Sequence, residues 1–292
     1  MKAKTMKKAL IAGLIMVTAM SAVLTGCGGD PAPSGGEGSE ALSGTVVIAG
    51  STSVQPLSEE LAEAFMAENQ GVTVEVQGGG SGQGIKAIAD KIADLGALSR
   101  EVKEEEKASV GNITVIAKDG VAVVVNPEST ASDLTLEQIK KIFTGEITNW
   151  KEVGGDDAEI VVVSREEGSG TRGAFTEITK VLTKDDSGKE IDQTTTNAIV
   201  QPSTGAVKQT VAKTPNSIGY ISLGSLDDTV KALMVEGVEP SDSTVKSGDY
   251  KISRPFIYVS AAEISGAAEA YLDFVMGEKG QAIVAEEFIS VI

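Results

Sequence analysis

From Gly44 to the C-terminus, short apolar runs rich in β-branched residues alternate with segments whose apolar residues recur at helical spacing. The runs predict strands over Thr45–Ala49, Val72–Gln77, Ile113–Ala117, Val121–Asn126, Glu159–Ser164, Ser217–Ile221 and Phe256–Ser260. The intervening patterns predict helices over Pro56–Glu68, Gly84–Ala93, Thr135–Phe143, Arg172–Leu182, Gly205–Lys213, Ile264–Met276 and Glu278–Glu286. Near-continuous apolar strands belong to sheets covered on both faces, and strand–helix alternation favours parallel pairing. The expected fold class is therefore α/β with mainly parallel sheets. Its roughly 250 residues fit two domains of ordinary size better than one. No internal repeat is visible.

Three strand-to-helix junctions share one chemistry. They are Gly50-Ser51-Thr52-Ser53, Gly78-Gly79-Gly80-Ser81-Gly82 and Arg165-Glu166-Glu167-Gly168-Ser169-Gly170-Thr171. A helix start leaves backbone N–H groups unpaired and carries the positive end of the macrodipole, so it suits an anion. One such start is ordinary; three together suggest a pocket that wraps a small oxyanion.

Each junction also has a plainer reading. In the first, Pro56 sits in the opening turn and Thr52 and Ser53 lie near the cap, where they would serve only their helix. The second has the glycine content that lets backbone approach a ligand, with Ser81 pointing outward from the turn, yet it would equally make a flexible turn. It lacks the Gly-Lys-Ser/Thr of a Walker A loop. In the third, Arg165 offers a planar donor fork for two oxygens of a tetrahedral anion. Glu167 is placed to hold that fork or to accept from a protonated ligand oxygen; the alternative is a surface Arg–Glu pair beside a capped helix.

Composition removes several activities. The chain has no histidine and a single cysteine, Cys27. Disulfides, zinc-thiolate clusters, thiol catalysis and a Ser-His-Asp triad are excluded from the folded body, and no metal ion or cofactor is expected. The N-terminus carries Lys2, Lys4, Lys7 and Lys8, then the uncharged apolar stretch Ala9–Leu24. Leu24-Thr25-Gly26-Cys27 resembles the lipobox of bacterial lipoproteins, in which Cys27 would be acylated as the first mature residue. The alternative, an uncleaved membrane anchor, requires a longer apolar run. Residues 1–26 thus read as a signal peptide. Residues 27–43, rich in Gly, Pro, Ser and Glu, read as a flexible tether spanning roughly 20–25 Å.

Removing four leader lysines and no acids takes the formal charge from −17 to −21. Such a surface repels nucleic acid and also repels an anionic ligand at long range. An anion site here must win locally, through dipoles and a buried cation.

GSTSVQPL, QGGGSGQGIKAI, DLGALSR and SREEGSGTRGAF, in this order, resemble the phosphate-binding lipoproteins of the phosphate-specific transport (Pst) ABC importer. GVAVVVNP, IFTGEITNW, SIGYISL and PFIYVS extend the likeness from about Gly44 to the C-terminus. The resemblance implies that Thr52, Ser53 and Ser81 bind phosphate through backbone and hydroxyl donors. It implies further that Arg165 pairs with the anion, that Ser169, Gly170 and Thr171 donate from the third junction, and that Glu167 interacts with the arginine. Some members carry an Asp after a GAS-like triplet; Leu98-Ser99-Arg100 occupies that stretch here, and Ser99 accepts without a fixed charge. Rejection of sulfate should then rest on Glu167 and Ser99.

The fold implied is the type II periplasmic-binding-protein architecture, two lobes joined by two crossing strands near Val121–Asn126 and Arg254–Ser260. Lobe one would comprise residues 44–124 and 256–292, and lobe two residues 125–255. The implied role is a monomeric, membrane-tethered extracytoplasmic receptor that delivers inorganic phosphate to the transmembrane subunits of an ABC permease, without catalysis. Rival readings are a sulfate or molybdate receptor, a surface enzyme using Arg165 and Glu167 on phosphorylated substrates, and an adhesion or sensing lipoprotein. Trp150, the only tryptophan, is expected to pack in lobe two.

Overall fold

Asn112–Val125 forms a single strand of 14 residues, although Lys118-Asp119-Gly120 reads as a break in the sequence. The reason is a change of partner. Residues 112–120 of this strand pair antiparallel with Ser253–Ser260, and residues 121–125 pair antiparallel with Ile218–Ser222. Lys118 and Asp119 face Pro255 and Arg254 in that ladder, so the polar stretch stays in register instead of turning.

The computed structural model describes residues 42–292; the expected signal peptide, Cys27 and all but the last residues of the tether lie outside it. The chain runs β1 (Gly44–Gly50), α1 (Gln55–Glu68), β2 (Val72–Gly78), α2 (Ser81–Ala89), β3 (Leu95–Leu98) and the long β4 (Asn112–Val125). It continues through β5 (Asp133–Leu134), α3 (Leu136–Thr144), β6 (Val161–Arg165) and α4 (Gly170–Ile178). Then come β7 (Leu182–Lys184), β8 (Glu190–Asp192), β9 (Ile199–Gln201), α5 (Thr204–Lys213) and β10 (Ser217–Ser222). The last elements are β11 (Lys231–Ala232), β12 (Met234–Val235), α6 (Asp242–Ser247), β13 (Ser253–Ser260), α7 (Gly266–Met276) and α8 (Glu278–Glu287).

The main sheet has the order β2-β1-β3-β13-β4-β10-β6-β9. Pairing is parallel on both flanks, as the alternation of strands and helices predicts. The crossing strands β4 and β13 add antiparallel ladders in the middle, which makes the sheet mixed.

Two apolar cores sit on either side of the partner change. The first draws only on residues before Val121 and after Ile252, with Leu57, Leu61 and Phe65 of α1 and Tyr271 and Val275 of α7 packed against Val46, Ile48 and Tyr258. On the opposite face, Ile85 and Ile88 of α2 meet Leu98, Ile257 and Val259. The second core joins Ile139, Ile142 and Phe143 of α3, Phe175 of α4 and Tyr220 of β10. The Phe175 and Tyr220 rings stack at 4.0 Å. Trp150 is buried in this core, and its Nε1–H donates to Asn216 O at 2.9 Å. Each large apolar side chain removed from water contributes about 1.5–3 kcal/mol. Helix starts are capped by side chains that their sequences supply: Ser169 Oγ accepts from Arg172 N, and Ser203 Oγ from Ala206 N.

Candidate functional site

Arg165 ends β6 with only 1% of its surface exposed. A buried guanidinium needs partners for its donors. Nε and Nη2 donate to Glu166 Oε2 and Oε1, each at 2.8 Å. The second Nη2 hydrogen goes to Thr52 Oγ1 and Nη1 goes to Thr204 Oγ1, both at 3.2 Å. Its backbone is fixed as well, since Arg165 N–H donates to Tyr220 OH at 3.2 Å and Arg172 Nη1 donates to Arg165 O at 2.7 Å. Burial pushes the Tyr220 phenol above its ordinary pKa, so it stays neutral in this role.

This geometry corrects one expectation. Glu166, not Glu167, takes the bidentate position on the arginine, while Glu167 is exposed. Strand β6 stops at Arg165, so the alternation that would send the next side chain away no longer applies. Glu167 instead lines a groove of about 1080 Å³ with Arg100, Lys103, Arg172 and Glu190, outside the hydroxyl cluster.

The three junctions converge. The first is a turn before the helix: Val54 and Gln55 N–H both donate to Ser51 O, which leaves Thr52 and Ser53 free to face the other core. Ser53 Oγ lies 2.7 Å from Thr171 Oγ1 and 2.7 Å from Thr204 Oγ1, so one hydroxyl of the first junction meets two of the opposite side. The second junction opens α2 at Ser81 behind Gly80, whose φ of +88° suits glycine. Ser81 is fully buried and accepts from Ser99 N–H at 3.1 Å. Ser51 Oγ donates to Ser99 Oγ at 2.8 Å, so Ser99 belongs to the same cluster.

The third junction opens α4 at Gly170. A Cβ on Gly170 would stand 2.1 Å from Ser81 Oγ and 2.6 Å from Ser99 Oγ, so only glycine permits this approach. Gly82 N–H also reaches across to Gly168 O at 3.0 Å. The first amides of α4 have no partner within the helix, and they lie where these hydroxyls gather.

Thr52, Ser53, Ser81, Ser99, Arg165, Gly170 and Thr171 thus lie in one connected cluster, whereas Ser169, expected as a ligand donor, caps α4 by accepting from Arg172 N and lines the outer groove. Sequence reasoning missed Ser51, Glu166 and Thr204. Thr204 stands in Ser203-Thr204-Gly205, a fourth strand-to-helix junction of the same chemistry, which was readable as such. Chemically the cluster is rich in N–H and O–H donors around one buried cation, and among the described residues no group of His, Cys, Asp and Glu is arranged to hold a metal.

The sequence matches the family model of the PBP superfamily domain over residues 35–279. It is 34% identical over 283 residues to the phosphate-binding protein PstS of Bacillus subtilis, which covers 94% of this chain and 90% of that one. The chain belongs to the PstS family. The PstS of Borreliella burgdorferi is 33% identical over 247 residues, covering 83% of this chain and 88% of that protein.

Solved structures agree with the PstS assignment. A Clostridium perfringens protein assigned as a phosphate ABC transporter substrate-binding protein, with bound phosphate, is 43% identical at a TM-score of 0.80. The match covers 85% of this chain and 100% of that one. An ABC-type phosphate transport receptor from Vibrio cholerae is 33% identical at a TM-score of 0.71, again over 85% of this chain and 100% of that one.

Proposed function

We propose that this PstS-family chain captures inorganic phosphate between its two cores and delivers it to the transmembrane subunits of an ABC permease. The observation that carries the reading is the meeting of Ser53 with Thr171 and Thr204 around the buried Arg165, hydroxyl donors from both cores beside one cation. The phosphate bound to the Clostridium perfringens relative and the transport role in its name and that of the Vibrio cholerae receptor support it.

In this reading residues 44–124 with 256–292 and residues 125–255 act as hinged lobes about β4 and β13. An anion held by both lobes favours the closed arrangement through contacts that the open one lacks. No bond is made or broken, and release is reopening. The receptor works outside the cytoplasm as a monomer, held to the membrane by a lipid on Cys27. The acidic surface is tolerated because the donors act at contact distance inside the cleft, where the repulsion from distant exposed charges is screened.

A ligand screen by thermal shift tests the assignment. A specific ligand at 100 times its Kd adds about 2.7 kcal/mol of stability. Phosphate should give the largest shift among phosphate, sulfate and molybdate. A larger shift with either of the others, or none with any of them, would refute phosphate as the cargo.

A further inference from the structure

Thr204 opens α5 and is 2% exposed. Helix capping does not explain its hydroxyl, because the cap of α5 is Ser203, which accepts from Ala206 N at 3.0 Å. Thr204 instead meets three residues of the anion site. Its Oγ1 lies 3.2 Å from Arg165 Nη1 and 2.7 Å from Ser53 Oγ, and its N–H donates to Thr52 Oγ1 at 3.2 Å.

A guanidinium can only donate, so Thr204 Oγ1 accepts from Arg165 and meets Ser53 Oγ with its own proton or its remaining lone pair. Either atom can donate in the Ser53–Thr171 contact of 2.7 Å as well; the order that runs outward from the cation has Thr204 donating to Ser53 and Ser53 to Thr171. In that order the Thr171 proton is left at the end of the chain, beside the unpaired first amides of α4. Thr52 Oγ1 accepts from both Arg165 Nη2 and Thr204 N–H, which leaves its proton free as well. Hydrogen bonds in such a chain polarise one another, and this one starts at a cation.

We infer that Thr204 is a positioning residue of the site: it fixes the Arg165 fork and orients the hydroxyl chain Thr204–Ser53–Thr171 so that it presents donors to the ligand. The identity of the ligand rests on the phosphate reading above; the geometry of the hub does not. Thr52 and Ser53 belong to the first junction, whereas Arg165 ends β6 and Thr204 opens α5, beyond the partner change of β4, so the chain completes only when the two sides meet.

The test is calorimetric titration with inorganic phosphate of the full chain and of Thr204→Val and Thr204→Ser. Thr204→Val keeps the shape and removes the hydroxyl, and should weaken binding about tenfold or more. Thr204→Ser should return it to within about threefold of wild type. Thr204→Val binding like wild type, or Thr204→Ser as weak as Thr204→Val, would overturn the role. A crystal structure of Thr204→Val without phosphate gives a readout independent of the cargo: the Arg165 guanidinium should leave Thr52. An unmoved Arg165 would overturn the positioning role. A wild-type chain that binds no phosphate refutes the phosphate reading instead, and the crystal structure then decides on Thr204.

Discussion

Arg254 of β13 and Asp119 of β4 face each other across the ladder two residues before β4 takes its new partner at Val121, and both are buried. Arg254 Nε and Nη2 donate to one oxygen, Asp119 Oδ2, at 3.0 and 2.9 Å, while Ser222 Oγ donates to the other at 3.0 Å. Ser222 is the last residue of β10, so three strands meet on this carboxylate. Burial raises the Asp119 pKa, and the attraction of Arg254 offsets only part of that. Among the described residues Arg254 Nη1 is buried without a partner, lying in a guanidinium 5.4 Å over the Phe256 ring.

Asp119→Asn is therefore expected to be costly, because it strands the Arg254 charge. Removing one member of a buried pair costs about 3–5 kcal/mol, whereas replacing both by apolar residues often costs little. Denaturant unfolding should show Asp119→Asn far less stable than wild type, and Asp119→Leu/Arg254→Met nearer to it. Equal losses in the two variants would contradict this account.

Glu166 and Glu167 should separate cleanly in binding. The Glu166 carboxylate holds two donors of Arg165 and is the fixed acceptor nearest to the hydroxyl cluster, so it repels an anion that has no proton. Glu166→Gln should narrow the preference for phosphate over sulfate by about tenfold, the scale expected when a matched polar contact is lost. Glu167→Gln should leave the preference within about twofold, as for an exposed surface charge. Calorimetry with both anions checks the pair.

Gly170→Ala tests the closeness of α2 and α4. Its Cβ would meet the buried Ser81 and Ser99 hydroxyls. Overpacking of this kind costs about 1–3 kcal/mol, which corresponds to a roughly 5- to 150-fold loss of phosphate affinity. The loss should show mainly as faster release in stopped-flow measurements. An unchanged release rate would mean that α4 does not approach α2 when the anion is held.

The pH dependence of stability should be unusually flat near neutrality. With no histidine, no side chain of ordinary pKa titrates between about pH 6 and 8. Acid is different. Bonds from the Lys208 and Thr229 side chains lower the Asp227 pKa to about 2. Burial by itself would raise Glu106 and Asp192, but bonds from Arg100 to Glu106, and from Thr194 and Arg172 to Asp192, bring both below the usual carboxylate range. A carboxyl depressed on folding contributes stability above its unfolded pKa of about 4 and loses it as pH falls through the folded value. Melting temperature should hold from about pH 8 to 6 and drop between about pH 4 and 2. Asp227 is largely exposed, so its share is small.

The long elements were legible because burial and period agree. The 3.6-residue stripe of Leu57, Leu61 and Phe65 marks α1, and the β-branched runs mark β1, β2, β10 and β13 within a few residues. What failed was local. Lys118-Asp119-Gly120 separates the two strands predicted over Ile113–Ala117 and Val121–Asn126, because the compensating Arg254 is far away in sequence. Leu95–Leu98 was seen as a motif and not as a strand, since four residues with a glycine and no β-branched side chain carry no strand signal. Helix α2 starts at Ser81, ahead of the expected Gly84, since Gly84 packs closely on Ala49 of β1 and Ala97 of β3 and Gly82 approaches Gly168, so the glycines form its first turn.

The site was legible to a similar depth. Glycine and hydroxyl chemistry at helix starts pointed to Thr52, Ser53, Ser81, Gly170 and Thr171 before any contact was known. The partner of Arg165 was misread by one residue, because the end of a three-dimensional strand, not the sequence, decides which carboxylate turns back. Thr204 shares the hydroxyl-glycine signature of the other helix starts, but the strand before it, Ile199–Gln201, is only three residues long and marks the junction weakly.

The most direct measurement is a crystal structure grown with phosphate. The account predicts one phosphate enclosed by the starts of α2 and α4, within hydrogen-bonding reach of Arg165, Ser53, Ser81 and Thr171. Phosphate found only in the outer groove beside Arg100 and Arg172, with the hydroxyl cluster untouched, would contradict it.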